Sequence, residues 1–259
     1  GDGTGDWTGT FTVSGTLAAG SYTISGAVNQ SNGGTAAWSV TGITVTNASP
    51  VWSGTGSDNK WSTGGNWTSG FQPGTGDSAT FAGTTQLTAN MDASFSLGSL
   101  TFSNNAGSFI ITNAAHTLTL ASGLTNNSAN VQTLDVPVVL SGAQTICAAA
   151  GDIAISRAVS DTGSAGLTKV GNSTLTLSAV NTYSGATTIS AGTLAIGGAG
   201  QLGSGSYSAS ITNNGALNRN SSAAQTLSGA ISGTGSLTNS GSGTLTLSSG
   251  SSTYGGGTT

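Results

Sequence analysis

The sequence predicts an all-β solenoid, in which short strands stack turn upon turn. Three observations support this class. The segment 167–196 returns in shortened form at 237–259. Both copies contain the run Thr-Leu-Thr-Leu, whose period of two places the leucines on one face of a strand and the threonines on the other. Charged residues make up only 5% of the chain, but hydrophobic residues reach 35% and recur in alternation, which favours an ordered structure over a disordered one.

The two copies align closely with one another. Leu175 corresponds to Leu245, 70 residues later, and Tyr183 aligns with Tyr254 once one inserted residue is allowed. Self-similarity of this kind is typical of repeat architectures. The first copy reads LTKVGNSTLTLSAVNTYSGATTISAGTLAI and the second reads LTNSGSGTLTLSSGSSTYGGGTT. Both resemble the autotransporter-associated β-strand repeat, which occurs in long passenger regions exported by Gram-negative bacteria.

That resemblance carries several expectations. It implies a parallel, right-handed β-helix at the cell surface or outside the cell of a Gram-negative-type bacterium. It also implies an adhesive or stalk-like role without catalytic residues. The spacing of strand-like segments, near ten residues, would by itself also suit a sandwich or a barrel. The 70-residue repeat and the resemblance favour the β-helix, which we expect over residues 84–259.

Charge and cysteine content exclude several partners. The net charge is −4, and the four basic residues are scattered through the sequence, so no basic stripe is available to bind nucleic acid. No apolar run is long enough for a transmembrane segment. Cys147 is the single cysteine, so it cannot form an intrachain disulfide; it is either a small buried apolar residue or half of an intermolecular bridge.

Residues 1–49 are predicted to form a small antiparallel β segment. Alternating runs at 7–14, 21–28 and 37–46 are separated by glycines and an Asn-Gly-Gly turn. Three short strands are marginal alone, so we expect them to pack on the following segment or on another subunit. The apolar residues expected in these assembly strands are Trp7, Phe11, Val13, Trp38, Val40, Ile43 and Val45.

Residues 50–83 form a tryptophan-rich block that we interpret as an N-terminal cap. The aromatic residues Trp52, Trp61, Trp67 and Phe71 lie among glycines, asparagines and a proline. The first turn of a solenoid exposes an apolar core and a strand edge, and bulky side chains are suited to cover both. The alternative is a glycan-binding platform, because exposed aromatic rings stack well on apolar surfaces.

The Thr-x-Thr pairs along the chain, such as Thr174 and Thr176, are interpreted as outward partners of inward leucines, stabilised by contacts between threonines on adjacent strands. An ice-binding ladder would need such a pair in register on every turn. The pairs are too irregularly spaced in the sequence to indicate that arrangement.

Side chains that commonly act in catalysis are sparse, and the sequence predicts no catalytic site. The chain has one histidine, His116, so the Gly-Asp-Ser run at 76–78 lacks the base that a serine hydrolase needs. The aspartates are spread singly, which disfavours a β-helical polysaccharide-degrading enzyme. The one candidate metal site is a glycine-rich turn in which Asp2 and Asp6 could share Ca²⁺. No other cofactor is expected.

These features predict a non-enzymatic extracellular structural protein, a subunit of a cell-surface filament or sheath. The second copy stops at Thr259, before a counterpart of the strand that 189–196 supplies in the first. We therefore expect an open β-helix edge, which favours head-to-tail assembly of the protein with itself. The alternative is an adhesin or stalk fragment of a longer passenger that binds surface glycans.

Overall fold

In a computed structural model, the unit 47–259 forms a parallel β-solenoid of about eight turns, and the residues that the structure describes contain essentially no helix. The structure describes residues 49–259 in full, together with the backbone of 20–29 and 35–45. The predicted all-β solenoid class is therefore confirmed.

The strands run in chain order as follows: β1 (Gly20–Asn29), β2 (Thr35–Val45), β3 (Val51–Trp52), β4 (Ser78–Phe81), β5 (Thr88–Asn90), β6 (Phe95–Phe102), β7 (Ile110–Thr112), β8 (Leu118–Asn126), β9 (Gln132–Asp135), β10 (Val138–Leu140), β11 (Gln144–Ala148), β12 (Ile153–Ile155), β13 (Val159–Asp161), β14 (Leu167–Val170), β15 (Thr174–Leu177), β16 (Thr187–Ile189), β17 (Thr193–Gly198), β18 (Ser206–Tyr207), β19 (Ile211–Asn213), β20 (Ala216–Ser221), β21 (Gln225–Leu227), β22 (Ile231–Ser232), β23 (Ser236–Asn239) and β24 (Leu245–Leu247). Two short 3₁₀ turns lie at Gly64–Asn66 and Gly203–Gly205.

Three parallel sheets make up the solenoid. The first sheet stacks β3, β4, β6, β8, β11, β14, β16, β19 and β22, with β10 and β13 attached beside β8. The second stacks β5, β7, β9, β12, β15, β17, β20 and β23, and the third stacks β18, β21 and β24. Residues paired in adjacent turns are 19 apart where Thr174 meets Thr193 and 24 apart where Thr187 meets Ile211. Turn length therefore varies along the chain.

Alternation along each strand builds the core. In β15, Leu175 and Leu177 are buried and Thr174 and Thr176 point outward, as the Thr-Leu-Thr-Leu pattern predicts. The buried apolar side chains form one cluster that extends from Trp52 to the last turns of the solenoid. Because each turn contributes only a few inward side chains, small and polar residues can occupy the remaining positions.

The N-terminal strands belong to a separate compact unit, residues 1–46, whereas residues 47–259 form the solenoid unit. The strands β1 and β2 pair antiparallel, from Gly20 with Val45 to Asn29 with Thr35. These two strands agree with the segments predicted at 21–28 and 37–46. The predicted strand at 7–14, with Trp7, Phe11 and Val13, lies outside the described residues. The predicted assembly residues Trp38, Val40, Ile43 and Val45 all lie on β2.

The two sequence copies occupy different faces of the solenoid. Leu167 of the first copy lies in the first sheet, on β14, but its counterpart Leu237 lies in the second sheet, on β23. Each copy closes one turn on itself, because Leu167 pairs with Thr187 and Leu237 forms a bridge with Thr258. The motif thus encodes a turn of the solenoid, independent of the face on which that turn begins.

Candidate functional surfaces

The tryptophan-rich segment packs at the start of the solenoid core. The rings of Trp52, Trp61 and Trp67 lie 5.4, 5.4 and 5.7 Å from the ring of Phe81, measured between centroids. The Trp67 indole N–H donates to the carbonyl oxygen of Trp61 at 2.8 Å, which fixes one ring against the other. These contacts make a single aromatic cluster, which we call the aromatic cover.

Burial separates the two interpretations of these residues. Trp52, Trp61 and Trp67 are at most 2% exposed, whereas Phe71 is 75% exposed. A sugar ring that stacks on tryptophan needs an accessible aromatic face. The packing therefore favours the covering role for the three tryptophans and leaves Phe71 as the accessible aromatic side chain of this segment.

The cover is also part of the solenoid itself. Val51 of β3 pairs with Thr80 of β4, and β4 continues into the first sheet through its pairing with β6. The sequence predicts a cap over residues 50–83 and the β-helix after it. The structure has strands of the first sheet on both sides of residue 83, so the segment 50–83 supplies strand edges as well as covering side chains.

The tyrosine and threonine shared by both copies bond to one another, at a buried position in the first copy and at an exposed position in the second. Tyr183 and Thr187 are joined at 2.9 Å between hydroxyl oxygens, and Thr187 and Tyr207 at 2.7 Å. Burial is the main cause that raises the pKa of Tyr183 above its ordinary value. The second copy repeats the contact between Tyr254 and Thr258, at 2.6 Å. The shared residues thus hold the turn together.

Glycines of the motif lie where neighbouring turns approach one another. A Cβ atom on Gly171 would overlap the carbonyl oxygen of Ala148 in the turn before, and one on its counterpart Gly241 would overlap that of Ser221. Gly185 and its counterpart Gly256 meet backbone atoms of the preceding turn in the same way. The repeated glycines are therefore required by the stacking of the turns.

The family comparison agrees with this geometry. The model of the family described as Passenger-associated-transport-repeat matches residues 167–196 and 237–259, which begin at Leu167 and Leu237, where the turn-closing contacts also begin. The chain carries two passenger-associated-transport-repeats. The family predicted from the residues is therefore confirmed by this match and by the solenoid fold. The comparisons with curated proteins and with solved structures gave no match.

Hydroxyl-bearing side chains line the outside of the first sheet around the repeats. Consecutive turns pair them directly, at the expected strand spacing of about 4.8 Å. The column consists of Thr145, Thr168, Thr188, Thr212 and Ser232. A second column on the same sheet begins with Thr80, Thr101 and Thr125. We call this the hydroxyl face. These residues are unevenly spaced in the sequence because turns differ in length, and strand pairing brings them into register.

Cys147 continues the second column of the hydroxyl face. It pairs with Thr125 on one side and with Val170 on the other, and it is partly exposed with a free thiol. This partly exposed position differs from the buried apolar residue that is one of the two interpretations of the sequence, and the intermolecular bridge stays a prediction.

Among the residues that the structure describes, one ion pair joins charged side chains. Arg157 Nε donates to Asp135 at 2.7 Å, and both side chains are more than a third exposed. Hydrogen bonds from Arg157 and Ser156 lower the pKa of Asp135 from its ordinary value. Exposed pairs of this kind contribute little to stability.

The same described part of the chain contains no cluster of three His, Cys, Asp or Glu side chains that could hold a metal ion. The proposed Ca²⁺ ligands Asp2 and Asp6 lie outside the described residues. No helix in residues 49–259 has the length and hydropathy needed to cross a bilayer. The aspartate of the Gly-Asp-Ser run is held in a turn, where the backbone N–H of Gly74 donates to Asp77 at 2.7 Å.

Proposed function

We propose that the protein is a non-enzymatic structural component of an exported, passenger-like assembly at the surface of a Gram-negative-type bacterium. The main support for this proposal is that the matched repeat forms one turn of a continuous solenoid. Motif residues in both copies serve core packing and turn stacking, and in the first copy they also form a buried hydrogen bond. Such a solenoid is suited to act as a rod, since successive turns are bonded along two long sheets, with a third, three-stranded sheet in the last turns.

Within this role, we favour a subunit of a filament or sheath over an isolated rod. The support is the separate β1–β2 unit, in whose described backbone each strand pairs only with the other. Each strand of such a two-stranded sheet presents an outer edge to which a further strand can add. A neighbouring subunit that added its strand there would form a head-to-tail contact, and contacts of that type propagate into filaments when they do not close.

Deletion of residues 1–46 tests this role. We expect the full chain to form filaments in negative-stain electron microscopy, and the truncated chain to remain as single particles. The truncated chain should keep the thermal midpoint of the solenoid, because residues 47–259 form a compact unit with its own buried cluster. Filaments of unchanged length and number after the deletion would contradict the proposed role of the N-terminal unit.

The alternative is an adhesin or stalk that binds surface glycans, and the hydroxyl face favours it. A charged residue introduced there, as in Thr188→Lys, is expected to reduce binding on a glycan array at least tenfold. Thr176→Lys is the matched control, because Thr176 occupies an equivalent outward position on the second sheet. Equal binding by both variants and by the unaltered protein would count against the hydroxyl face as the binding surface.

A further inference from the structure

The corner between β19 and β20 is part of a column of stacked glycines. A Cβ atom on Gly215 would overlap the carbonyl oxygen of Gly192 in the turn before. Gly235 meets the carbonyl oxygen of Gly215 in the same way, and Gly256 meets that of Gly235. Because backbone of the preceding turn fills the space where a side chain would lie, the stacking of turns imposes glycine at position 215.

An exposed asparagine precedes this glycine. Asn214 is exposed at the corner, whereas Asn213 beside it is fully buried and donates from Nδ2 to the carbonyl oxygen of Ser236 at 2.8 Å. The sequence holds one other Asn-Gly pair, at 32–33, which lies outside the described residues. The corner thus combines an accessible carboxamide with a following residue that the fold keeps as glycine.

Asparagine followed by glycine carries the groups needed to lose ammonia without an enzyme. The glycine nitrogen attacks Cγ of the asparagine side chain, so that an N–Cγ bond forms and the Cγ–Nδ2 bond breaks. Ammonia leaves with the proton of the glycine N–H, and the product is a cyclic succinimide. Water then opens the ring, giving aspartate when the N–Cγ bond breaks and isoaspartate when the bond from nitrogen to the backbone carbonyl carbon breaks.

The reacting groups of this pair are held loosely. The Gly215 N–H donates to Asn213 Oδ1 at 3.2 Å, and Asn214 Oδ1 accepts from the Thr234 N–H at 3.2 Å. Both distances lie at the long end of the range for N–H···O hydrogen bonds, so neither bond holds its partner strongly. The Thr234 N–H also stabilises negative charge on the Asn214 oxygen, which is where charge develops when the nitrogen attacks.

Asn172 is also exposed, but the nitrogen that follows it has a different setting. The next residue, Ser173, donates its N–H to the carbonyl oxygen of Ala148 in the turn before, at 3.1 Å. This nitrogen takes part in the backbone bonding between turns, and the serine side chain shields it. Asn172 therefore serves as an internal control for the reactivity of Asn214.

We propose that Asn214 is a site of spontaneous deamidation, and that its isoaspartate product loosens the stacking of turns around β19 and β20. Aspartate at this position keeps an acceptor for the Thr234 N–H. Isoaspartate instead lengthens the main chain by one methylene group, next to a glycine at which not even a Cβ atom fits. The fold thus places a reactive pair at a corner that has no room for an extra backbone atom. This inference does not depend on the assembly of the protein into filaments.

Peptide mapping of the full chain tests the site. The folded protein is incubated at mildly alkaline pH, where more of the attacking amide nitrogen is deprotonated, and is then digested and analysed by mass spectrometry. Conversion of Asn214 is expected to be about tenfold faster than that of Asn172, since a positioned donor polarises its carboxamide and no side chain shields its nucleophile. An Asn214 that stays intact, or that reacts no faster than Asn172, would overturn the proposed site.

Hydrogen exchange separates the added methylene group from the added charge. In protein aged until a substantial share of Asn214 is isoaspartate, β19, β20, β22 and β23 are expected to exchange faster, while β4 and β6 stay unchanged, because each turn contacts only its neighbours. Asn214→Asp is the matched control, because it carries the charge without the longer main chain and should exchange like the unaltered protein. Equal acceleration in Asn214→Asp, or none in the aged protein, would overturn the loosening of turns by isoaspartate.

Discussion

Replacement of Phe81 by alanine is expected to destabilise the start of the solenoid more than any other single truncation in the aromatic cover. The ring of Phe81 contacts those of Trp52, Trp61 and Trp67, and it also lies 5.5 and 5.1 Å from the rings of Phe102 and Phe109. Truncation of a buried phenylalanine costs about 3–5 kcal/mol, through lost transfer free energy and the cavity left behind. Against a total stability of about 5–15 kcal/mol, this is a large fraction.

The loss should be confined to the first turns. In a solenoid, each turn contacts only its neighbours, so the stability of one turn depends on the adjacent interfaces. Hydrogen exchange measured by mass spectrometry is expected to accelerate in β4 and β6 of Phe81→Ala and to stay unchanged in β15, β17 and β20. Phe71→Ala is the control, because Phe71 is 75% exposed and its truncation should change stability by less than about 0.5 kcal/mol. Uniformly faster exchange along the whole solenoid would contradict a local covering role.

The sequence was sufficient to predict the class of fold. It was not sufficient to predict the face of the solenoid on which each copy of the repeat begins. Alternation of leucine and threonine predicts strands, and the repeated motif predicts that they stack. The position of each copy on a face depends on the lengths of all intervening turns, which range from 19 residues at Thr174–Thr193 to 24 at Thr187–Ile211. Loop lengths of this kind follow from local turn geometry that composition does not encode, so the rotation of the second copy by one face was not predictable.

The same variation explains why the hydroxyl face was missed. Thr168 and Thr188 are 20 residues apart, whereas Thr188 and Thr212 are 24 apart, yet all three lie in one column. A search at a fixed period does not find such a column. The alternation of inward and outward positions along a strand, however, would have identified the two basic residues that point into the core. Lys169 follows Leu167 by two residues and Arg219 follows Leu217 by two, so both occupy positions that the alternation assigns to the core.

The role of the tryptophans also depended on packing rather than on composition. A glycine-rich and asparagine-rich segment with three tryptophans suits both a covering cluster and a sugar-binding platform. The packing favours the covering cluster because Phe81, near the end of the same segment, supplies the surface on which Trp52, Trp61 and Trp67 converge.

Replacement of Gly171 by alanine is the second change for which we expect a large effect. Gly171 has a φ of +81°, in the left-handed region, and a Cβ there would overlap the carbonyl oxygen of Ala148. A residue with a side chain pays about 1–2 kcal/mol in this conformation. Displacement of a packed neighbour, here backbone of the adjacent turn, adds about 1–3 kcal/mol. Gly171→Ala should therefore lower the free energy of unfolding by about 2–5 kcal/mol, measured by chemical denaturation.

Two further glycines separate the two contributions. Gly241, the counterpart in the second copy, also meets backbone of the preceding turn but does not have a left-handed φ, so Gly241→Ala should cost less than Gly171→Ala. Gly250 has open space around its Cβ position and no left-handed φ. Gly250→Ala should be neutral or stabilise by up to about 1 kcal/mol, because alanine restricts the unfolded chain. If all three substitutions had the same effect, the close stacking of turns would not be the reason for glycine in the repeat, and its place in the motif would need another physical cause.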